Sequence, residues 1–342
     1  MAINIIMFET KQAERDFLKK NHYENCEITF FEECLDEEFV KTLPQDILEK
    51  TNAISIFDNS TITKEVIEKF KNLRVVSVRA AIYDNICISS CEDKNIAVVN
   101  IPDFGTQSVA EYTIGLMINL TRNIIPANNL LKRGEKYQGG LIGKDLNGLT
   151  LGIVGTGVQG AMVCKLAKSF GMDIAAYDLF PRQELVDKYS VKYLSLEELA
   201  NVSDIITIHL DYIPETYHIF NEEIFSKCKD SMYFINTSKS EIVDIEALDK
   251  YLQNGKIKGA AMDTSPCNSI CYNCRQLNEK LYPSNLNCLS QSDFLSKFEQ
   301  YDNVIITPCL SYTTGNAIEN NLTETINGIK KVLNGEKLCR VV

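Results

Sequence analysis

Residues Leu151-Gly152-Ile153-Val154-Gly155-Thr156-Gly157-Val158-Gln159-Gly160 form a glycine-rich fingerprint at the end of a short apolar run. The three later glycines have different roles. Gly155 permits a tight turn, Gly157 lets the backbone approach a pyrophosphate, and Gly160 lets the next helix pack close to the strand. The N-terminus of that helix offers free amides and a positive dipole end to phosphate. The pattern predicts a dinucleotide-binding site.

An acidic residue strengthens this prediction. A second apolar strand is predicted over residues 173–177, and Asp178 follows it, 18 residues after Gly160. A carboxylate there accepts the ribose hydroxyls of the adenosine and repels a 2′-phosphate, which favours NAD over NADP. A glycine pattern alone is also typical of any tight turn before a helix. Here strand, turn, helix, second strand and acid follow in the required order.

The composition limits the classes of partner. The chain has 342 residues, a formal charge of −11, 45% hydrophobic and 24% charged residues. The negative charge argues against nucleic acid or an anionic membrane as a partner. No apolar run reaches the roughly 18–20 residues of a membrane span, and the first residues do not resemble a signal peptide. Twelve cysteines without an export signal indicate a reducing, cytoplasmic setting. Cys26, Cys34, Cys164 and Cys228 are interpreted as ordinary core residues.

Strand-like and helix-like segments alternate along the chain, which predicts parallel strands with crossover helices. Strands are predicted over residues 3–8, 53–57, 75–78 and 97–99, and helices over 11–21, 64–70, 108–122 and 314–333. Ser108 is the predicted N-cap of the third helix, with Glu111 completing a capping box. Residues 267–296 are predicted to form a long loop.

Several motifs together resemble the D-2-hydroxyacid dehydrogenase family, closest to its D-lactate dehydrogenase branch. Besides the fingerprint and Asp178, they are 78-VRAAIYDNI-86, 100-NIPDF-104 leading into 108-SVAE-111, 236-NTSKS-240, 260-AAMD-263 and 303-NVIITPC-309. The resemblance covers nearly the whole chain. It implies two Rossmann-like, doubly wound α/β domains of parallel sheet with an interdomain cleft. The implied substrate domain comprises residues 1–100 plus 310–342, and the implied NAD domain residues 101–309.

The resemblance also implies partners and binding residues. Family members are usually homodimers, and the helix at 108–122 would contribute to that contact. The cofactor would be bound by Gly155, Gly157, Val158, Gln159, Gly160, Asp178, Thr216, Thr237, Ser238 and Asp263. A small anionic substrate would contact Ala81, Ile82, Tyr83, Phe104 and Lys239.

The chain departs from the family at the catalytic positions. The family uses an arginine for the substrate carboxylate, a histidine for the hydroxyl proton and a glutamate that orients the histidine. Lys239, Cys309 and Asn268 stand at these positions. Lysine keeps the charge of arginine but loses its planar fork. A thiol has a reference pKa near 8.5, against about 6.5 for histidine, and here it would have no carboxylate partner.

Cysteines are concentrated near the altered positions. Cys267, Cys271 and Cys274 have spacings that suit one metal centre, and Cys309 or Cys288 would supply the fourth ligand. Four thiolates hold a [4Fe-4S] cluster or Zn²⁺, and this spacing is closer to an iron–sulfur site. Free thiols and a regulatory disulfide are the alternatives.

These observations lead to one main hypothesis and two alternatives. The main one is an NAD-dependent oxidoreductase for a small anionic 2-hydroxy or 2-oxo acid, with a rebuilt active site of Lys239, Cys309 and Asn268, with or without a metal. The second is a non-catalytic NAD(H)-binding redox sensor. The third is a slow D-lactate dehydrogenase in which Cys309 acts as acid and base.

Overall fold

The structure, a computed structural model, describes residues 2–103, 105–136, 139–264 and 291–336. They form two compact units, one of residues 2–103 and 314–336 and the other of residues 105–264 and 291–313. The predicted domain boundaries stay predictions, because compactness reports packing and not independent folding. No helix within the described ranges is long and apolar enough to cross a membrane.

Strands and helices alternate through both units. The strands are β1 (Ile3–Met7), β2 (Cys26–Phe30), β3 (Ala53–Ile56), β4 (Val75–Val78), β5 (Ala97–Asn100), β6 (Thr150–Val154), β7 (Asp173–Tyr177), β8 (Lys192–Tyr193), β9 (Ile205–Ile208), β10 (Met232–Asn236), β11 (Ile257–Met262) and β12 (Val304–Ile306). The α-helices described are α1 (Gln12–Lys20), α2 (Gln45–Lys50), α3 (Lys64–Lys69), α4 (Ile88–Asp93), α5 (Thr106–Arg122), α6 (Ile124–Lys132), α7 (Val158–Ser169), α8 (Gln183–Tyr189), α9 (Leu196–Val202), α10 (Glu222–Lys227), α11 (Ile245–Gln253), α12 (Gln291–Phe298) and α13 (Gly315–Leu333).

The first unit is built on a five-stranded parallel sheet in the order β2-β1-β3-β4-β5. Every residue of β3 and β4 is buried, since helices cover both faces of a parallel sheet. Helix α13 returns from the C-terminal part of the chain and packs Leu322, Ile326 and Ile329 into one of the two cores. These residues lie on one face because residues three and four apart are neighbours on a helix.

The second unit is built on a seven-stranded parallel sheet in the order β12-β11-β10-β9-β6-β7-β8. The chain order reverses at β6, which pairs with β9 on one side and β7 on the other. Ligands of open α/β sheets bind beyond the carboxyl ends of the strands at such a point. The glycine fingerprint begins at the carboxyl end of β6, so the fold places it at the expected position.

The α/β class and both parallel sheets are confirmed, and several details differ from prediction. Strand β2 was not predicted, because it lies at a sheet edge and is only half-buried with Glu27 exposed. Helix α5 begins at Thr106 after Gly105, so the prediction of Ser108 as N-cap was wrong. The amide of Val109 donates to the carbonyl of Gly105 at 2.9 Å, and the helical ladder therefore starts before Ser108.

Two further predictions are modified. Helix α12 covers part of the predicted 267–296 loop, while residues 265–290 lie outside the described residues. Cys164 and Cys228 are buried as expected, but Cys26 and Cys34 are only partly buried.

Candidate cofactor and catalytic site

The glycine loop after β6 is shaped by close backbone contacts. Gly155 has a φ of +92°, and a Cβ there would lie 2.6 Å from the carbonyl oxygen of His209. A Cβ on Gly160 would lie 2.0 Å from the carbonyl oxygen of Gly155. A Cβ on Gly157, in contrast, would meet no atom of the described residues within 4 Å. Gly155 and Gly160 are therefore required by the fold, and Gly157 leaves open space in front of the loop.

Helix α7 starts directly at this loop. Gly157 is its N-cap and supplies no side-chain cap, so the first amides of a 12-residue helix are not satisfied by a capping side chain. At this end Val158 is exposed and Gln159 is half-buried, and Val163 and Cys164 are buried one turn further along. An uncapped helix N-terminus next to an open glycine loop binds phosphate oxygens well.

Asp178 lies at the end of β7 and contacts the same loop. Its Oδ2 accepts hydrogen bonds from the amide of Thr156 at 2.6 Å and from the hydroxyl of Thr156 at 2.9 Å. Its Oδ1 accepts from the amide of Phe180 at 2.9 Å. The structure thus brings the predicted acid to the glycine loop in a fixed orientation.

The neighbouring strands β9 and β10 add polar groups at the same edge. Asn236 pairs with Ile208, so Thr237 and His209 follow adjacent strands. The hydroxyl of Thr237 and Nδ1 of His209 are buried and have no hydrogen-bond partner among the residues that the structure describes. Ser238 donates its hydroxyl to the carbonyl of Ile208 at 3.3 Å. The predicted Thr216 is buried, and its hydroxyl bonds within its own turn, to the carbonyl of Asp211 at 3.0 Å.

His209 is buried, and its Nε2 lies 3.0 Å from the hydroxyl of Thr207. Burial lowers the pKa of His209 to about 3, so the ring is neutral at physiological pH. A buried neutral ring of this kind is a structural residue rather than a proton donor.

Asp263 organises the turn that carries Cys309. It is 3% exposed and follows β11. Its Oδ1 accepts from the hydroxyl of Thr307 at 2.6 Å and the amide of Leu310 at 2.8 Å, and its Oδ2 accepts from the amide of Ser311 at 2.6 Å. These bonds hold both sides of Cys309, which is partly buried and has a φ of +54°. The backbone on both sides of Cys309 is therefore held by a buried carboxylate.

Lys239 lies at the corresponding end of β10. The side chain of Asn236 donates to the carbonyl of Lys239 at 3.1 Å and accepts from the amide of Ser238 at 2.9 Å. This bridging amide fixes the turn, and Lys239 is half-buried in it. Lys239, Asp263 and Cys309 each stand one to three residues beyond the ends of the adjacent strands β10, β11 and β12.

Comparison with known proteins identifies the family to which the chain belongs. The sequence model of the D-isomer specific 2-hydroxyacid dehydrogenase NAD-binding domain matches residues 114–311. The chain belongs to the D-isomer specific 2-hydroxyacid dehydrogenase family. It is accordingly an NAD-dependent oxidoreductase.

Individual relatives match over most of their length. A 2-hydroxyacid dehydrogenase homolog of Haemophilus influenzae is 32% identical over 98% of both chains. An aromatic 2-oxoacid reductase of Clostridium sporogenes is 33% identical over 82% of both chains. The crystal structure of D-lactate dehydrogenase from Aquifex aeolicus, complexed with NAD and lactic acid, superposes with a TM-score of 0.78 and 30% sequence identity. The match covers 97% of the present chain and 96% of the Aquifex aeolicus chain.

The residues around the glycine loop fit the cofactor of the family. In the described ranges of the chain, the space beside Gly157 is open, α7 begins at that space, and the buried hydroxyl of Thr237 has no partner. A pyrophosphate and a ribose supply the acceptors and donors that these groups lack.

Some predicted site residues cannot be placed in this way. Phe104, Asn268, Cys267, Cys271, Cys274 and Cys288 lie outside the described residues. Among the residues that are described, no group of three or more His, Cys, Asp or Glu side chains is arranged to hold a metal.

The predicted substrate loop belongs to the first unit. Ala81 and Tyr83 are exposed and Ile82 is half-buried. The side chain of Asn100 donates to the carbonyl of Ala81 at 2.7 Å. Just before the loop, Arg79 is 1% exposed and donates to the hydroxyl of Ser55 at 3.0 Å and the carbonyl of Phe8 at 2.7 Å. Burial lowers the pKa of Arg79, and its role here is to fix the base of the loop.

Three residues at the cofactor end were not singled out from the sequence. Thr156 lies inside the fingerprint but is not one of the glycines that define it, and Arg182 follows Asp178 by four residues. Tyr193 lies on the two-residue strand β8, which has no sequence pattern of its own. The contact of Thr156 with Asp178 depends on the pairing of β6 with β7, and the contacts of Tyr193 with Thr156 and Arg182 depend on the pairing of β7 with β8.

Proposed function

We propose that this dehydrogenase interconverts a small 2-oxo acid and its 2-hydroxy acid, with Lys239 as the anion-binding group and Cys309 as the proton-transfer group. The observation that carries the proposal is the alignment of Lys239, Asp263 and Cys309 at the ends of three adjacent strands, on the sheet that also carries the glycine loop. NAD(H), when bound, supplies or accepts the hydride.

Lys239 supplies the positive charge for the substrate carboxylate. An ammonium binds a carboxylate as a point charge rather than as a fork, so it orients the acid less strictly than arginine does. The turn held by Asn236 limits the movement of its backbone. This supports a relaxed preference for the chain attached to the carboxylate. The names of the relatives, a D-lactate dehydrogenase and an aromatic 2-oxoacid reductase, make pyruvate and an aromatic 2-oxo acid the first substrates to screen.

Cys309 holds the proton that the carbonyl oxygen gains during reduction and takes it back during oxidation. The three hydrogen bonds of Asp263 keep its turn in one conformation. A positioned proton donor contributes about 10²–10⁴-fold to such a reaction. A thiol has a reference pKa near 8.5, further from neutral pH than the histidine value of about 6.5, so its contribution should fall at the lower end of this range.

Replacement of Cys309 by Ala, Ser and His tests this role. Cys309→Ala should lower kcat/KM for the 2-oxo acid by about 10²-fold and leave NADH affinity unchanged, because only the proton donor is removed. Cys309→His should restore or exceed the wild-type rate. All three variants place a side chain at the same positive φ, so they are matched in backbone strain.

Two outcomes would contradict this assignment. Cys309→Ala could be as active as the wild type, which removes Cys309 from the reaction. The wild type could bind NADH and turn over no 2-oxo acid, with Cys309→His equally inactive, which would favour the non-catalytic redox sensor.

The cysteine cluster extends the proposal to a metal centre. Cys267, Cys271 and Cys274, with Cys309 or Cys288, provide thiolates of the kind that hold iron–sulfur clusters or zinc. A cysteine that binds a metal is a deprotonated thiolate, so the proton-transfer role of Cys309 requires Cys288 as the fourth ligand of such a centre. Iron and zinc analysis of protein purified without oxygen tests it, with Cys271→Ser as the variant that should lose the metal.

We also propose that the chain forms a homodimer through α5 and α6. Helix α6 has no buried residue, and it exposes Ile124 and Leu131 at 48% and 68%. Only Ile125 packs partly against the core, so a helix with two exposed apolar side chains is better explained by a partner surface. Light scattering should give twice the mass of 38.6 kDa, and Leu131→Glu should shift it to the monomer.

A further inference from the structure

A chain of hydrogen bonds connects the end of the seven-stranded sheet to Asp178. The hydroxyl oxygen of Tyr193 lies 3.0 Å from the amide nitrogen of Arg182 and 3.0 Å from the hydroxyl of Thr156. The hydroxyl of Thr156 in turn lies 2.9 Å from Oδ2 of Asp178. Thr156 is 1% exposed, and Tyr193 and Asp178 are half-buried, so these groups are partly withdrawn from competing water.

The direction of this chain follows from the chemistry of the groups. The amide of Arg182 can only donate, so the oxygen of Tyr193 accepts there. An ionised carboxylate can only accept, so Thr156 uses its single hydroxyl proton for Asp178. The remaining contact must therefore run from the hydroxyl of Tyr193 to the oxygen of Thr156. Each hydroxyl proton therefore has one acceptor. Hydrogen bonds that run in one direction along a chain polarise and strengthen one another.

The chain determines which acceptor sites of Asp178 stay open. An ionised carboxylate has about four acceptor sites. Oδ2 uses two for the amide and hydroxyl of Thr156, and Oδ1 uses one for the amide of Phe180. Within the part of the chain that the structure describes, these three bonds leave one site on Oδ1, next to the turn that begins at the exposed Leu179 and Phe180.

We propose that Tyr193 is a positioning residue for the adenosine half of the cofactor. Its hydroxyl joins the turn at residues 179–182 to the glycine loop and, through Thr156, holds Asp178 so that one Oδ1 site faces the ribose. The inference rests on NAD binding by the glycine loop and not on the chemistry proposed for Lys239 and Cys309. Binding measurements therefore test it even in a variant without turnover.

The experiment compares Tyr193→Phe with Tyr189→Phe by titration with NADH, ADP-ribose and reduced nicotinamide mononucleotide. Tyr189 is a partly buried tyrosine of the same unit that packs on the core and serves as matched control. Loss of about one net hydrogen bond should weaken NADH and ADP-ribose binding to Tyr193→Phe about 2- to 10-fold. Binding of the mononucleotide, which lacks the adenosine, should be unchanged. A purely structural role would weaken all three ligands or none.

A second pair of variants isolates the relay. Thr156→Ser keeps the hydroxyl and should bind ADP-ribose like the wild type, whereas Thr156→Val should weaken it to about the level of Tyr193→Phe. The double variant that combines Thr156→Val with Tyr193→Phe should be no weaker than either single variant, because both substitutions break the same chain. Wild-type affinity for ADP-ribose in Tyr193→Phe, or independent multiplication of the two effects, would overturn the proposal. Failure of the wild type to bind NADH would overturn it together with the cofactor assignment.

Discussion

Two alanine substitutions in one loop, Gly160→Ala and Gly157→Ala, should have opposite consequences. A Cβ at position 160 would lie 2.0 Å from the carbonyl oxygen of Gly155, 3.0 Å from its carbonyl carbon and 3.3 Å from Cγ2 of Ile153. Real Cβ atoms essentially never approach closer than 3.0 Å, so strand and helix must separate by about 1 Å. At position 157 a Cβ has no neighbour within 4 Å in the part of the chain that the structure describes.

The expected losses of stability and of NADH affinity follow from this difference in contacts. Forcing a methyl group into a packed backbone contact costs about 1–3 kcal/mol, and two backbone atoms place Gly160→Ala at the upper end. For a unit of about 200 residues this lowers Tm by roughly 5–12 °C. Gly157→Ala replaces an N-cap glycine and should cost less than about 1 kcal/mol in the absence of cofactor. Its methyl group occupies space that the pyrophosphate needs, so NADH affinity should fall by at least about tenfold.

The assay is differential scanning fluorimetry without and with NADH, combined with NADH titration. Gly160→Ala should melt early under both conditions. Gly157→Ala should melt like the wild type without NADH and lose the upward shift that NADH produces. If Gly157→Ala keeps full NADH affinity, the open space beside it is not the pyrophosphate site. If Gly160→Ala is as stable as the wild type, the reasoning from the contact distance is refuted.

Two further predictions concern buried polar groups. His209 has a pKa of about 3 in the folded protein and about 6.5 when unfolded, so its contribution to stability is complete above pH 6.5 and is lost as the pH falls towards 3. In urea unfolding, the contribution of His209 should lower the free energy of unfolding at pH 5 by roughly 2 kcal/mol relative to its value above pH 6.5. This loss should disappear in His209→Gln and remain in His22→Gln, where the replaced histidine is exposed. Asp263→Asn should lower the free energy of unfolding by about 2–3 kcal/mol, because Asn cannot accept all three hydrogen bonds. The same variant should also reduce 2-oxo acids more slowly. The control Asp302→Asn, at an exposed position, should change neither stability nor rate.

The parts of the fold carried by local pattern could be predicted from the sequence. Strand β7 has the predicted limits, and β6 coincides with the apolar run before the glycine turn, because buried parallel strands are continuous apolar runs. Edge strands have no such signal: β2 alternates with polar residues and β8 has only two residues. Helix α5 began earlier than predicted because its start is set by the backbone of Gly105 and not by a capping side chain.

For the candidate site, too, the sequence predicted the residues that belong to a local motif and not the contacts set by strand order. Residues that bind through motif position, such as Gly155, Gly160 and Asp178, were named from the sequence and are brought together by the fold. The contacts of Tyr193 and the hub formed by Asp263 depend on which strands are neighbours. That information is in the sheet order and has no local sequence pattern.

The return of α13 to the first unit constrains how the chain is made. The faces of β4 and β5 that carry Val75, Ala97 and Val99 are covered by Leu322, Ile326 and Ile329, more than 200 residues later in the chain. During synthesis these strands emerge long before their covering helix, while residues 105–264 of the second unit are already available. Domains generally fold as units as they emerge. The first unit to begin on the ribosome is therefore the last to be completed, and its uncovered sheet is the surface that a chaperone would meet.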